Sequence, residues 1–342
     1  LTLEEVIMLE TPVVLLMFKR KRIVDIIGRL RTVKPRKVYL ISDGGRTKEE
    51  QEQVDLCRKL AENAIDWDCE VVKRYAESNK GVFDNIAGGA KWVFEREETA
   101  IFLEDDNLPE VSFFQYCEEM LARYKTNPRV LWVCGTNYFG DCTKKENYEG
   151  DQSYYFTKCL LPCGWASWAS KFLEMYEDKF TGFDDKSLQN RIKKQFVLPA
   201  LYRQSYGYWK EEVERIHEGK KTVSWDMQMD FSIRKHDAYG ICPVKNQIKN
   251  IGVDEASIHG GSSIQDEMTR RFCGMDSYPL EFPLIHPEKI EIDKKFENDL
   301  GRVILRPFPL RVERAINPFI RRVLHIPDGI STKKYIKRAF KR

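Results

Sequence analysis

The sequence predicts an α/β protein: a Rossmann-like, mainly parallel central sheet flanked by helices, followed by a basic helical extension. Three features predict it. Between residues 13 and 134, short apolar runs alternate with amphipathic stretches, the succession that yields parallel strands with right-handed crossovers. Several of those runs end in acid or glycine, and in open α/β sheets the strand ends are where ligands sit. Finally, residues 302–342 hold twelve Lys/Arg against two acids, a local balance of +10 that leaves −7 for the rest of a chain whose net charge is +3.

Residues 3–10 (LEEVIMLE) make a short amphipathic piece ahead of Pro12. Residues 13–18 (VVLLMF) form a continuous apolar run of strand type, followed by the basic group 19–22 and a helix over 23–30. The second strand is 37–42 (KVYLIS), closed by Asp43, Gly44 and Gly45. Residues 47–64 follow as a helix with acids in the first turn and apolar residues at Val54, Leu56, Leu60 and Ala64. A third strand over 70–74, a Ser/Asn/Lys/Gly loop at 78–81 and a helix over 82–94 lead to residues 100–107, AIFLEDDN. There a buried strand ends in three consecutive carboxylates, Glu104, Asp105 and Asp106.

A helix over 113–124 and a strand over 130–134 complete the first half, and the polar tract 140–151 reads as a loop. Beyond it, CGWASW (163–168) packs two tryptophans around small residues. A charged helical region spans 170–219, interrupted at Gly182, Pro199 and Gly207. A helix over 225–235, short strands at 241–243 and 248–251, and a Gly/Ser loop at 255–263 centred on His259 follow.

The length suits either two domains or one large α/β unit with appendages. We divide it at 1–138, 139–300 and 301–342. The nine cysteines are odd in number and lack metal-ligand spacing, which points to reduced, buried thiols in a reducing compartment. No run of eighteen apolar residues and no leader pattern is seen, so no membrane span is expected; the reduced cysteines and the basic tail give cytoplasmic as the expected location.

Three adjacent acids repel one another unless something positive neutralises them, and a hard divalent cation shared with substrate phosphates does so. The alternative is a solvated acidic turn. Arg20 and Asp43 sit just past the first two strands and so face the same edge. In the second half, Asp226 beside Trp225 is the best-placed carboxylate for proton abstraction, because the indole desolvates it; Glu211, Glu212 and Asp230 are the substitutes.

Several segments together resemble glycosyltransferases of the GT-A fold, most closely the N-acetylglucosaminyltransferase I type: PVVLLMFKR, VYLISDGG, FLEDDNLPEVSFFQYC, LPCGWASW, VSWDMQM and GVDEASIHGG, in that order. The acidic tripeptide with its following double Phe is the most specific match. The resemblance implies a metal-dependent, inverting transfer of a sugar from a nucleotide-sugar, a UDP-sugar, to a glycan or lipid-linked glycan acceptor in surface polysaccharide biosynthesis. On it, residues 1–138 bind the donor and 139–300 the acceptor. Asp106 binds Mn²⁺ or Mg²⁺, while Glu104 and Asp105 orient the ribose and metal-bound water. Arg20 contacts the nucleotide, Asp43 the base or ribose, and Asn79 and Lys80 the donor. His259 is a metal ligand or phosphate donor, with Gly260 and Ser262 in a lid that wraps phosphate. Asp226 is the base, and Trp165, Trp168 and Trp225 hold the acceptor, with burial in the core the alternative for Trp165 and Trp168. One departure is plain: the family's Trp-Asp segment has two adjacent acids, and here Met227 follows Asp226.

The extension interleaves Phe308, Phe319, Ile320, Val323, Leu324, Ile326, Tyr335, Ile336 and Phe340 with cations. It reads as an interfacial element on the inner face of the cell membrane rather than a nucleic-acid site or a solvated tail. A sugar-phosphate nucleotidyltransferase is the rival enzyme, but its phosphate loop is Gly-rich and FKRKR has no glycine. A non-catalytic glycan-binding protein would use the tryptophans without a metal.

Overall fold

The computed structural model describes residues 8–144, 148, 150–253, 267–326, 332, 335 and 336. In chain order its elements are β1 (Val13–Met17), α1 (Ile23–Val33), β2 (Lys37–Ser42), α2 (Lys48–Ala64), β3 (Glu70–Tyr75), α3 (Val82–Phe94), β4 (Thr99–Glu104), β5 (Asn107–Pro109), α4 (Ser112–Arg123), β6 (Val130–Cys134), β7 (Tyr154–Thr157), β8 (Trp165–Trp168), α5 (Ala169–Met175), α6 (Lys186–Lys194), α7 (Pro199–His217), α8 (Asp226–Lys235), β9 (Tyr239–Pro243), β10 (Ile248–Asn250), α9 (Glu267–Phe272), α10 (Lys294–Ile304) and α11 (Phe308–Val323).

Eight strands form one sheet in the order β3-β2-β1-β4-β8-β6-β9-β7. The pairs β2/β3, β1/β2, β1/β4 and β6/β9 are parallel, and only β7 and β8 run against the rest. The fold is therefore α/β with a mostly parallel central sheet flanked by helices. β1 and β6 are buried along their whole length and β4 through its middle, which is why they read as unbroken apolar runs.

The CGWASW segment differs from its sequence reading. Residues 165–168 are a strand, β8, lying antiparallel between β4 and β6. It bridges the two parallel halves. Trp165 stacks on Phe102 at 3.9 Å and on Trp132 at 4.2 Å; Trp168 donates its indole N–H to the Leu121 carbonyl at 2.9 Å. Both are closed off in the core, at 1% and 2% exposure. This corrects the expectation that they offer planes to an acceptor: a buried ring has no face left to stack on a sugar. Lys171 lies 3.5 Å over the Trp168 ring and donates to the Tyr124 and Val130 carbonyls, and burial pulls its amine down to about 8.

Gly164 enters β8 at φ +63, where a Cβ would stand 2.5 Å from Ile248. Only glycine allows that approach. Two helical readings also shift. Gly207 does not interrupt α7, and α2 turns Val54, Cys57 and Ala61 inward while Leu56 is exposed. Thr47 caps α2 as a side-chain acceptor from Glu50 N–H. All nine cysteines are free thiols. No described helix is long and apolar enough to cross a membrane.

Removing the central stacked ring leaves a cavity that flanking rings cannot close. Trp165→Ala is expected to lower unfolding free energy by about 3–5 kcal/mol, measured by urea denaturation.

Candidate functional site

The C-terminal ends of β1, β2 and β4 open onto a cleft of ≈ 1500 Å³ whose lining comes from all three predicted segments. Its first wall carries Arg20, Asp43, Asn79, Lys80, Glu104, Asp105 and Asp106. Its second carries Trp225, Asp226, Asp230 and Arg234. The structure thus brings together ten of the residues singled out from sequence, and Glu211 and Glu212 line the same cleft. His259, Gly260 and Ser262 lie outside the described residues.

The acids of the first wall are not equivalent. Asp105 is buried and turned inward. Its Oδ1 accepts from Arg20 Nη1 at 2.9 Å and its Oδ2 from the Phe18 backbone N–H at 2.8 Å. This ties the ends of β1 and β4 together and gives Asp105 an internal role in place of the expected contact with a ribose. Asp106 lies 3.3 Å from the same guanidinium and accepts from the Asn107 side-chain amide at 2.6 Å. Glu104 is held well above the usual carboxylate range, first by desolvation, then by Asp106, Asp105 and Asp226, with Arg20 acting against them. At Gly252 the backbone descends onto this group: a Cβ there would lie 2.2 Å from Asp106 Oδ2.

Asp43 is likewise engaged within the protein. Its Oδ1 accepts the Gly44 and Lys80 N–H groups, and its Oδ2 accepts Gly81 N–H and the Asn79 side-chain amide, all within 2.7 to 2.9 Å. Asp43 shapes the 79–81 loop and sets that loop against the cleft.

On the second wall, Trp225 is buried but reaches the cleft, and α8 starts with Asp226. Asp226 Oδ1 accepts the Ser224 hydroxyl and the Met227 N–H. Asp230 and Arg234 follow at i+4 and i+8, so the three share one helix face. Desolvation pushes Asp230 up to about 6, with Arg234, Ser205 and Trp209 opposing. Glu212 is also raised, by desolvation, whereas Glu211 is in an ion pair with Arg314. Sequence reasoning passed over Arg234, although its spacing from Asp226 was there to be read. It also passed over the cleft residues of α11, including Arg314, which only tertiary packing delivers.

Asp106, Asp105 and Asp226 all act on Glu104 here, and the guanidinium of Arg20, paired with Asp105 and Asp106, opposes them. An oxygen-rich, electron-rich corner of this kind suits a hard cation. Among the described residues no group of three or more His, Cys, Asp or Glu is arranged to hold one alone. The donor set fits a cation completed by ligand phosphates or water.

No family model and no curated protein sequence matches the chain. Among solved structures, one of UDP-glucose pyrophosphorylase complexed with UDP-glucose is similar at 9% identity and a TM-score of 0.37, covering 70% of this chain and 93% of that one. A likeness at this level bears on neither family nor activity.

Asp230 makes the site's electrostatics measurable. Its folded pKa lies above its unfolded one, so the native state binds more protons between about pH 4 and 6 and stability falls as pH rises through that window. Asp230→Asn removes the penalty. The variant is expected to exceed the parent by about 1–2 kcal/mol at pH 7.5 and to converge with it below about pH 4, read from urea unfolding across pH.

Proposed function

We propose that the chain is a metal-dependent glycosyltransferase of GT-A type that moves a sugar from a nucleotide-sugar, a UDP-sugar, to a hydroxyl of a glycan or lipid-linked glycan. The observation that carries this is the meeting in one cleft of an acid-rich strand end, Glu104 to Asp106, with a second-wall carboxylate, Asp226. Diphosphate binding needs the first and acceptor deprotonation the second.

Asp106, with Glu104 beside it, would hold Mn²⁺ or Mg²⁺, which supplies charge neutralisation to the departing diphosphate. Arg20, already anchored by Asp105, presents its guanidinium on the same wall and pairs with phosphate oxygens in the reaction. The 79–81 loop, fixed by Asp43, lines the nucleotide side. Asp226 takes the acceptor proton as its oxygen attacks the anomeric carbon from the face opposite the leaving diphosphate. Trp225 behind it excludes water. Arg234, deeper along α8, faces the acceptor side of the cleft.

The test is incubation with a panel of sugar nucleotides, with and without Mn²⁺, scoring free nucleoside diphosphate. Metal-dependent release from one donor is expected. Asp106→Ala should reduce it about 100-fold or more, and Asp226→Asn about 100- to 10,000-fold, with Asp230→Asn retaining most of the parent rate. Pyrophosphate formation from a sugar phosphate and a nucleoside triphosphate would instead identify a nucleotidyltransferase. Full turnover by Asp106→Ala would sink the mechanism.

A further inference from the structure

The C-terminal helix α11 is mounted the wrong way round for a helix of a globular domain. At about 100° per residue, Phe308, Val312, Ile316, Phe319 and Val323 fall in one stripe, and all five are exposed, the two phenylalanines to 69% and 68%. The other side of the helix faces the protein: Leu310, Glu313, Arg314 and Asn317 line the cleft. Arg314 pairs with Glu211 and lies 4.4 Å over the Tyr208 ring, which Arg306 also covers at 5.2 Å. α11 is fastened by polar and cationic contacts while its apolar stripe looks outward. Burial would demand the reverse.

Charge selects what covers the stripe. Arg311 and Arg322 border it, and Glu313, the one acid of α11, lines the cleft. A second copy laid stripe on stripe would bring these cations against their own kind. An anionic surface meets them with opposite charge, and its acyl boundary accepts the apolar side chains.

We infer that the outward stripe of α11 docks on an anionic phospholipid surface, with Phe308 and Phe319 as the inserted anchors. Because the opposite side of the same helix lines the cleft, docking sets the cleft at the bilayer surface. If the transfer reading above holds, that is where a lipid-linked acceptor presents its glycan.

Sedimentation of the full chain with phosphatidylcholine vesicles, with and without phosphatidylglycerol, tests this. Binding is expected only with phosphatidylglycerol. Phe308→Ser/Phe319→Ser should reduce the bound fraction about ten-fold at an unchanged thermal midpoint, since both positions are exposed. Val312→Trp should show a blue-shifted emission on the same vesicles. The inference is overturned if the parent chain ignores anionic vesicles or if the double serine variant binds them equally well. It is also overturned if light scattering shows a dimer that the serine substitutions dissociate, which would give the stripe to a second copy. Vesicle binding is read without any sugar nucleotide, so lost transfer with retained binding overturns the transfer reading alone.

Discussion

Arg20 and Asp105 form the contact on which the cleft depends. Adjacent carboxylates at a strand end cannot all face a ligand without mutual repulsion, and burying one unpaired costs several kcal/mol. The chain resolves this by turning the middle acid inward. Asp105 joins Arg20 and the Phe18 N–H, and so locks the ends of β1 and β4 in register. Glu104 and Asp106 are left on the cleft side of the strand end. The same guanidinium reaches toward Asp106 and donates to the Gly252 carbonyl at 3.4 Å. One cation therefore joins three segments far apart in sequence.

Asp43 repeats the device one strand over. A carboxylate that accepts four internal hydrogen bonds has its lone-pair directions largely filled, and its work is to hold a loop. The first wall thus separates its acids into those engaged within the protein, Asp43 and Asp105, and those proposed to meet a ligand, Glu104 and Asp106. Position at a strand end is the same for all of them. The distinction comes from where the neighbouring backbone N–H groups point.

That is also the limit of what sequence shows here. The strands at 37–42 and 130–134 and the helix at 82–94 coincide with β2, β6 and α3, because buried parallel strands are unbroken apolar runs and their crossovers carry helical periodicity. β8 was hidden because four residues mixing indoles with small side chains fit a tight turn as well as a strand. What makes them a strand is a pair of neighbours, β4 and β6, more than thirty residues away in the chain. In the site, the meeting of Arg20, Asp43 and the acidic tripeptide was legible from strand ends, and Asp226 entered through its neighbour Trp225 and the family resemblance. The inward turn of Asp105, the closed burial of Trp165 and the mounting of α11 were not. Periodicity shows that a helix has an apolar stripe and says nothing of which side docks.

The two walls differ in kind, and the difference assigns the acids of α8. The first wall is an assembly of loops held by carboxylate clasps. The second is one helix face, so Asp226, Asp230 and Arg234 climb it at four-residue intervals of about 6 Å. Asp226 is among the carboxylates that act most strongly on Glu104, and Asp230 follows it one turn along α8. Desolvation pushes Asp230 up to about 6, and raised basicity alone would favour it as a proton acceptor. Reach decides otherwise. On the proposed transfer, the base must reach the hydroxyl that attacks beside the departing diphosphate, and Asp226 is the α8 acid whose charge is felt by Glu104 at the strand end.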